Sequence, residues 1–224
     1  MPTAVPSVAT IADRLGALRS RLDVLSARHV TVVAVTKAFP ADVIRAAVEA
    51  GCSAIGENYA QELVAKSSVL EALAARRPDV HFIGHVQSNK VRPLAGTVDV
   101  WETLDRPAIV DRVAREVPGA RVMVQVNATG EETKSGCRPG DAAALVDRAR
   151  QGGLDVTGLM TMGPTSGDLD CCRSAFRTVR TLADELGLAS CSMGMSGDYE
   201  LAVAEGSTHI RVGTMLFGER HRAE

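Results

Sequence analysis

Aromatic residues are scarce in this sequence, with one Trp, two Tyr and four Phe among 224 residues. Neither charge is in surplus: 25 Lys and Arg against 27 Asp and Glu leave a net charge of -2. That balance argues against general nucleic-acid or anionic-membrane binding, which draws on a basic field. No apolar run approaches the ~20 residues that a spanning helix needs. The N-terminal stretch carries Arg14, Arg19 and Arg21 on a helical pattern, where a secretion signal would have a continuous apolar core. Cysteine is sparse and odd in number: Cys52, Cys137, Cys171, Cys172 and Cys191, with no C-x-x-C pair and no histidine at zinc-ligand spacing. Reduced cysteines buried as small hydrophobes are expected, and no metal site. The dinucleotide fingerprint G-x-G-x-x-G is missing after every apolar run, and the segment 194–197 is too short and irregular to replace it. A soluble, cytoplasmic chain is expected, and its 46% hydrophobic content suffices for a core without staples.

What the sequence does contain is alternation. Short β-branched runs at 31–36, 54–56, 81–84, 98–101, 121–126, 156–160, 190–193 and 209–213 predict strands. Between them, amphipathic stretches at 41–50, 59–75, 107–116, 141–150, 169–186 and 199–204 predict helices, with a short one at 89–94. Strands alternating with helices indicate a parallel sheet. Most runs are apolar on consecutive residues, as expected when both faces are covered. No Pro- or Ser-rich linker interrupts them, so residues 1–224 read as a single α/β domain. About eight units in this length predict a compact (β/α)8 TIM barrel, with a doubly wound open sheet as the alternative.

Barrel chemistry sits where strands end and βα loops begin. Lys37 stands there after the first run. Taken alone it reads as a solvated charge, but its stem leaves a buried strand, and partial desolvation lowers a lysine pKa. A neutral lysine is the nucleophile that forms a Schiff base with an aldehyde. At the other end of the chain, Ser196, Gly213 and Thr214 fall in the loops after the seventh and eighth runs, where barrels often bind phosphate. Ser196 is expected at a helix N-terminus, where backbone N–H groups favour an anion. Arg211 lies between Ile210 and Val212 and should point the opposite way from them; it donates hydrogen bonds but keeps its protons. Asn58 and Ser88 read as helix N-caps, and His85 as a loop histidine. Glu131, Glu132 and Lys134 read as a solvated charge run, with Lys134 a lesser anion candidate, and the arginines at 112, 115, 148 and 150 as a wet helix face.

Several segments together resemble one family: Val35-Thr36-Lys37, Ile55-Gly56-Glu57-Asn58, the stretch from His81 to Lys90 with its Gln87-Ser88-Asn89-Lys90, Lys134-Ser135-Gly136, Gly158-Leu159-Met160, Ser192-Met193-Gly194-Met195-Ser196 and Arg211-Val212-Gly213-Thr214. In order, and over nearly the whole chain, they resemble the pyridoxal phosphate homeostasis proteins, relatives of the N-terminal barrel of alanine racemase. Gly197 departs from the pattern, standing where an acidic residue is expected. The resemblance implies pyridoxal 5′-phosphate (PLP) held as a Schiff base on Lys37. It implies that Ser196, Gly213 and Thr214 hold the phosphate, that Arg211 faces the pyridine nitrogen, and that Asn58, His85 and Met160 line the ring pocket.

That resemblance further implies a carrier that binds, buffers and hands over PLP to apo PLP-dependent enzymes. Arg211 cannot protonate the ring nitrogen, which weakens the cofactor as an electron sink. Racemisation needs acid and base groups on both faces of the substrate; the racemase takes its second from a tyrosine in another domain. Here the chain ends at Glu224, shortly after the last run, and Tyr59 and Tyr199 fall at helix starts. A weak amino-acid racemase is the alternative, and a phosphosugar- or nucleotide-binding barrel a third. Without the second domain, a monomer is expected.

Overall fold

The computed structural model describes residues 5–219. Its strands are β1 (Thr31–Val35), β2 (Ala54–Glu57), β3 (Asp79–Phe82), β4 (Val100–Leu104), β5 (Arg121–Gln125), β6 (Asp155–Met160), β7 (Ser190–Met195) and β8 (His209–Val212). Each pairs in parallel with the next, and β8 pairs back onto β1, with Thr31 opposite His209 and Ala34 opposite Val212. The ring is closed. That pairing decides for the barrel and against the open doubly wound sheet.

The helices are α1 (Val8–Leu25), α2 (Asp42–Glu49), α3 (Ala60–Ala72), α4 (Val91–Leu94), α5 (Pro107–Glu116), α6 (Ala142–Gln151), α7 (Leu169–Glu185), α8 (Tyr199–Ala204) and α9 (Thr214–Phe217). The Ser7 side chain caps α1, accepting from the Thr10 N–H at 3.1 Å. Ile11, Leu15, Leu18 and Leu22 recur at helical spacing and are buried. Through them α1 packs on α2, α8 and α9, covering the seam where β8 meets β1.

Both sides of the strands are buried, for different reasons. Val32, Ala34, Val80, Phe82, Trp101, Val122, Val124, Ile210 and Val212 join the large core between barrel and helices. Trp101 is fully buried, with its ring 5.9 Å from Phe82. Val33, His81, Glu102 and Arg211 are equally buried but stand outside that core. Alternation therefore turns them to the barrel axis. Arg211 does point away from Ile210 and Val212, as its position required.

The helices at 107–116 and 199–204 have the expected bounds. The fourth strand begins and ends later than its apolar run at 98–101 implied. Glu102 and Thr103 continue it because their polar groups find partners inside: Glu102 on His81, and the Thr103 hydroxyl on the Gly84 carbonyl. The stretch at 89–94 resolves into a 3-10 turn (Ser88–Lys90) followed by α4.

Candidate functional site

At the C-terminal ends of the strands, register decides which loops are neighbours. β1 pairs with β2 at Val35 and Gly56, and the Thr36 N–H still bonds the Gly56 carbonyl. One step further lie Lys37 and Asn58, both half-buried. β2 pairs with β3 at Glu57 and Phe82, so Gly84 and His85 come next. Gly84 is required there: a Cβ at this position would lie 1.9 Å from the Asn58 carbonyl oxygen. Only a bare Cα lets the two loops touch.

Asn58, Tyr59, His85, Gln87 and Lys90 line a cleft of about 430 Å³. His85 is exposed at its rim, with Nδ1 3.3 Å from the Ser135 hydroxyl and 3.6 Å from the Asp105 carboxylate. Neither Asn58 nor Ser88 is an N-cap, contrary to the sequence reading. Tyr59 holds that position for α3, and Ser88 opens the 3-10 turn after Gln87.

Beneath the mouth, the barrel interior holds a connected polar chain. The Arg211 guanidinium donates to the Ser192 hydroxyl at 2.7 Å and to the Thr161 carbonyl at 2.8 Å. Ser192 in turn donates to Glu102 at 2.6 Å, and His81 Nδ1 lies 2.6 Å from the other oxygen of that carboxylate. Burial opposes ionisation of Glu102, yet the hydrogen bond and charge of His81, with Arg211 and Ser192, outweigh it and bring the carboxyl to about 2. An ionised carboxylate only accepts, so Nδ1 of His81 carries the hydrogen. Burial also lowers the Arg211 pKa, against the opposing pull of Glu102. Beside this chain, Met160 packs with Val100 and Met123 in a small apolar cluster within the ring. Toward the far end of the barrel, the His209 ring lies 5.9 Å from that of His81, and burial pushes His209 down to about 4.

The last two strands complete the mouth. Met195 on β7 pairs with Arg211 on β8, so Ser196 and Gly213 occupy adjacent loops. Ser196 lies in a turn rather than at a helix start; Asp198 is the N-cap residue of α8, and its carboxylate accepts from the Met195 N–H at 2.5 Å. Gly194 has φ +96°, and a Cβ there would sit 2.6 Å from that of Ala202, so glycine lets α8 press onto β7. Gly213 precedes the short α9, which Thr214 opens. Because Ala34 pairs with Val212, the loop that carries Lys37 and the one that carries Gly213 and Thr214 are neighbours across the β8–β1 seam.

Two surface readings need correction. Glu131 and Lys134 form an ordered latch and not a solvated run. The Lys134 ammonium bonds Glu131 at 3.0 Å and also the Gly163 carbonyl. Glu131 accepts from the Thr165 hydroxyl and N–H, and with Lys134 these bring its carboxyl to about 2. Among the cysteines, Cys52, Cys172 and Cys191 are buried, but Cys171 is exposed and Cys137 half-buried. Among the described residues, no group of three or more His, Cys, Asp or Glu could hold a metal ion.

The sequence reading passed over the residues behind Lys37. Glu57, Lys66 and Thr36 are all buried and bonded to one another. The signal was there: Lys66 falls on the buried stripe of α3 with Leu63 and Leu70. His81, at the start of one apolar run, and Glu102, just past the end of another, were likewise given no role.

This architecture defines a class, the alanine racemase N-terminal barrel: that domain family matches residues 14–221. The pyridoxal phosphate homeostasis protein of Pseudomonas aeruginosa is 40% identical over 198 residues, 85% of each chain. The structure of PipY from Synechococcus elongatus with PLP bound superposes with a TM-score of 0.82 at 35% identity, covering 93% of this chain and all of PipY. PipY without PLP superposes at 0.85, also over 93% of this chain. The chain belongs to the pyridoxal phosphate homeostasis protein family.

Proposed function

We propose that this protein carries and buffers PLP, anchored covalently on Lys37, without robust catalytic turnover. The observation that supports this most is the ring closure, which makes the loop of Lys37 the neighbour of the loop of Gly213 and Thr214. It unites an amine, the phosphate-loop candidates and a buried guanidinium at one mouth. The donor set suits PLP. When bound, PLP supplies an aldehyde with which the Lys37 amine condenses reversibly, forming C=N and releasing water. Ser196, Gly213 and Thr214 would hold the phosphate by hydroxyl and backbone donors. Arg211 spends only part of its five N–H donors on Ser192 and Thr161, and would offer another to the pyridine nitrogen. Asn58, His85 and Met160 would border the ring.

A guanidinium keeps its protons, so Arg211 leaves the ring nitrogen unprotonated and carbanion chemistry weak. In the same reading the whole chain is one PLP-binding unit that acts as a monomer, and apo PLP-dependent enzymes receive the cofactor. Borohydride treatment of the PLP-loaded protein should abolish a visible band and leave a phosphopyridoxyl group on Lys37 by mass spectrometry. Lys37→Ala should show neither; a variant that keeps the reducible band overturns the assignment. Incubation with single-enantiomer amino acids should give negligible racemisation, and turnover on the order of 1 per second would make the protein an enzyme.

A further inference from the structure

The segment that carries Lys37 is gripped from behind at the residues on either side of it. Lys66 on α3 reaches through the barrel–helix layer, and its ammonium donates to the Thr36 carbonyl at 2.9 Å and to Glu57 at 2.7 Å. Glu57 accepts from the Thr36 hydroxyl at 2.6 Å through that same oxygen, Oε1. One turn earlier on α3, Glu62 lies 3.6 Å from the Lys66 ammonium and accepts the Ala38 N–H at 2.8 Å. Ala38 has φ +62°, a left-handed conformation that a residue with a Cβ adopts only when its surroundings impose it.

Most lysines lie in water. Lys66 is 4% exposed, and Glu57 is fully buried with its second oxygen unpartnered. Burying a charge pair is costly unless its geometry is used. Here every bond of the ammonium goes to the backbone before Lys37 or to the two carboxylates that hold that segment.

We propose that Lys66, acting with Glu57 and Glu62, is a positioning residue for Lys37. It fixes the Thr36–Ala38 backbone so that the Lys37 amine is aimed at the carbonyl carbon it must attack. The inference rests on Lys37 being the PLP anchor. It makes α3, a helix outside the mouth, part of the machinery for covalent capture. A misaimed nucleophile loses rate and equilibrium in bond formation. Noncovalent recognition of the phosphate and the pyridine nitrogen, which uses β8 and the loops after β7 and β8, stays intact.

Pyridoxine 5′-phosphate separates the two, because it keeps ring and phosphate but has no aldehyde. Two variants are compared with wild type: Glu62→Gln, at a partly exposed position, and Lys66→Met combined with Glu57→Gln, which removes both buried charges together. Both should lose about tenfold or more in PLP affinity and in the rate of borohydride trapping on Lys37. Both should bind pyridoxine 5′-phosphate within about twofold of wild type, and Lys66→Arg should recover part of the trapping rate. If the folded Glu62→Gln protein captures PLP as fast and as tightly as wild type, the proposal fails. It fails equally if affinity for both vitamers drops together, since that is a general pocket defect. Absence of an adduct on Lys37 in the wild-type protein would instead sink the anchor assignment on which the proposal stands.

Discussion

Arg211 has a structural task apart from any ligand, since its guanidinium ties β8 to Ser192 on β7 and to the Thr161 carbonyl just beyond β6. Its charge also compensates Glu102, which is ionised and fully buried four strands away. Breaking a buried charge network by removing one member costs about 3 kcal/mol or more, because the remaining charge stays in the dry interior. Arg211→Met should therefore lower the urea midpoint of the ligand-free protein by that order, and a loss under about 1 kcal/mol would mean that Ser192 and His81 alone satisfy Glu102. The residue scale is also where the sequence was least legible. Arg211 could be read because alternation with Ile210 and Val212 fixes its direction. Glu102 could not: it looks like a solvent-facing charge, and only the closing of the ring supplies the partners that allow it inside, whereas the spacing of Lys66 with Leu63 and Leu70 marked a buried position without naming its partners. Asn58 was misread for a related reason. Its capping propensity is real, but the backbone contact with Gly84 holds it one position ahead of the cap.

At the scale of elements, strand and helix order was legible from β1 to β8; α1 was marked only by arginines on a helical pattern, and the short α9 was not singled out. A parallel strand covered on both faces reads as a continuous apolar run, and most of the runs here are of that kind. The exception is β4, whose polar residues are satisfied by distant chain. Contacts between loops were invisible for the same reason. The β2 and β3 loops meet at Gly84, where a methyl group would overlap the Asn58 carbonyl. The colliding atom is backbone and cannot rotate away, so Gly84→Ala should destabilise the protein by about 3 kcal/mol, the upper part of the usual overpacking range. Thermal or urea unfolding measures this. A wild-type midpoint would show that the two loops separate freely.

For the whole molecule, two groups near the barrel axis make stability depend on pH in the same direction. His209 is depressed from 6.5 to about 4, chiefly by burial. Between those values the unfolded chain binds a proton that the folded one refuses, so stability is full above pH 6.5 and falls as the solution is acidified. Glu102 is depressed from 4.5 to about 2, so the stability it contributes is present above 4.5 and is lost as pH falls toward 2. Urea midpoints should thus decline steadily from pH 7 to pH 4, and His209→Asn should flatten the upper part of that slope. An unchanged slope in the variant would place the acid sensitivity elsewhere.

The seam between β8 and β1 has one more consequence. Lys37 follows the first strand of the barrel and Thr214 follows the last, so this part of the mouth is assembled from segments far apart in the sequence. On the proposed site, a chain whose later strands are still being made owns the amine but not the loops that would seat a phosphorylated vitamer. Occupancy thus certifies a finished fold: whatever binds only the completed circle holds it shut.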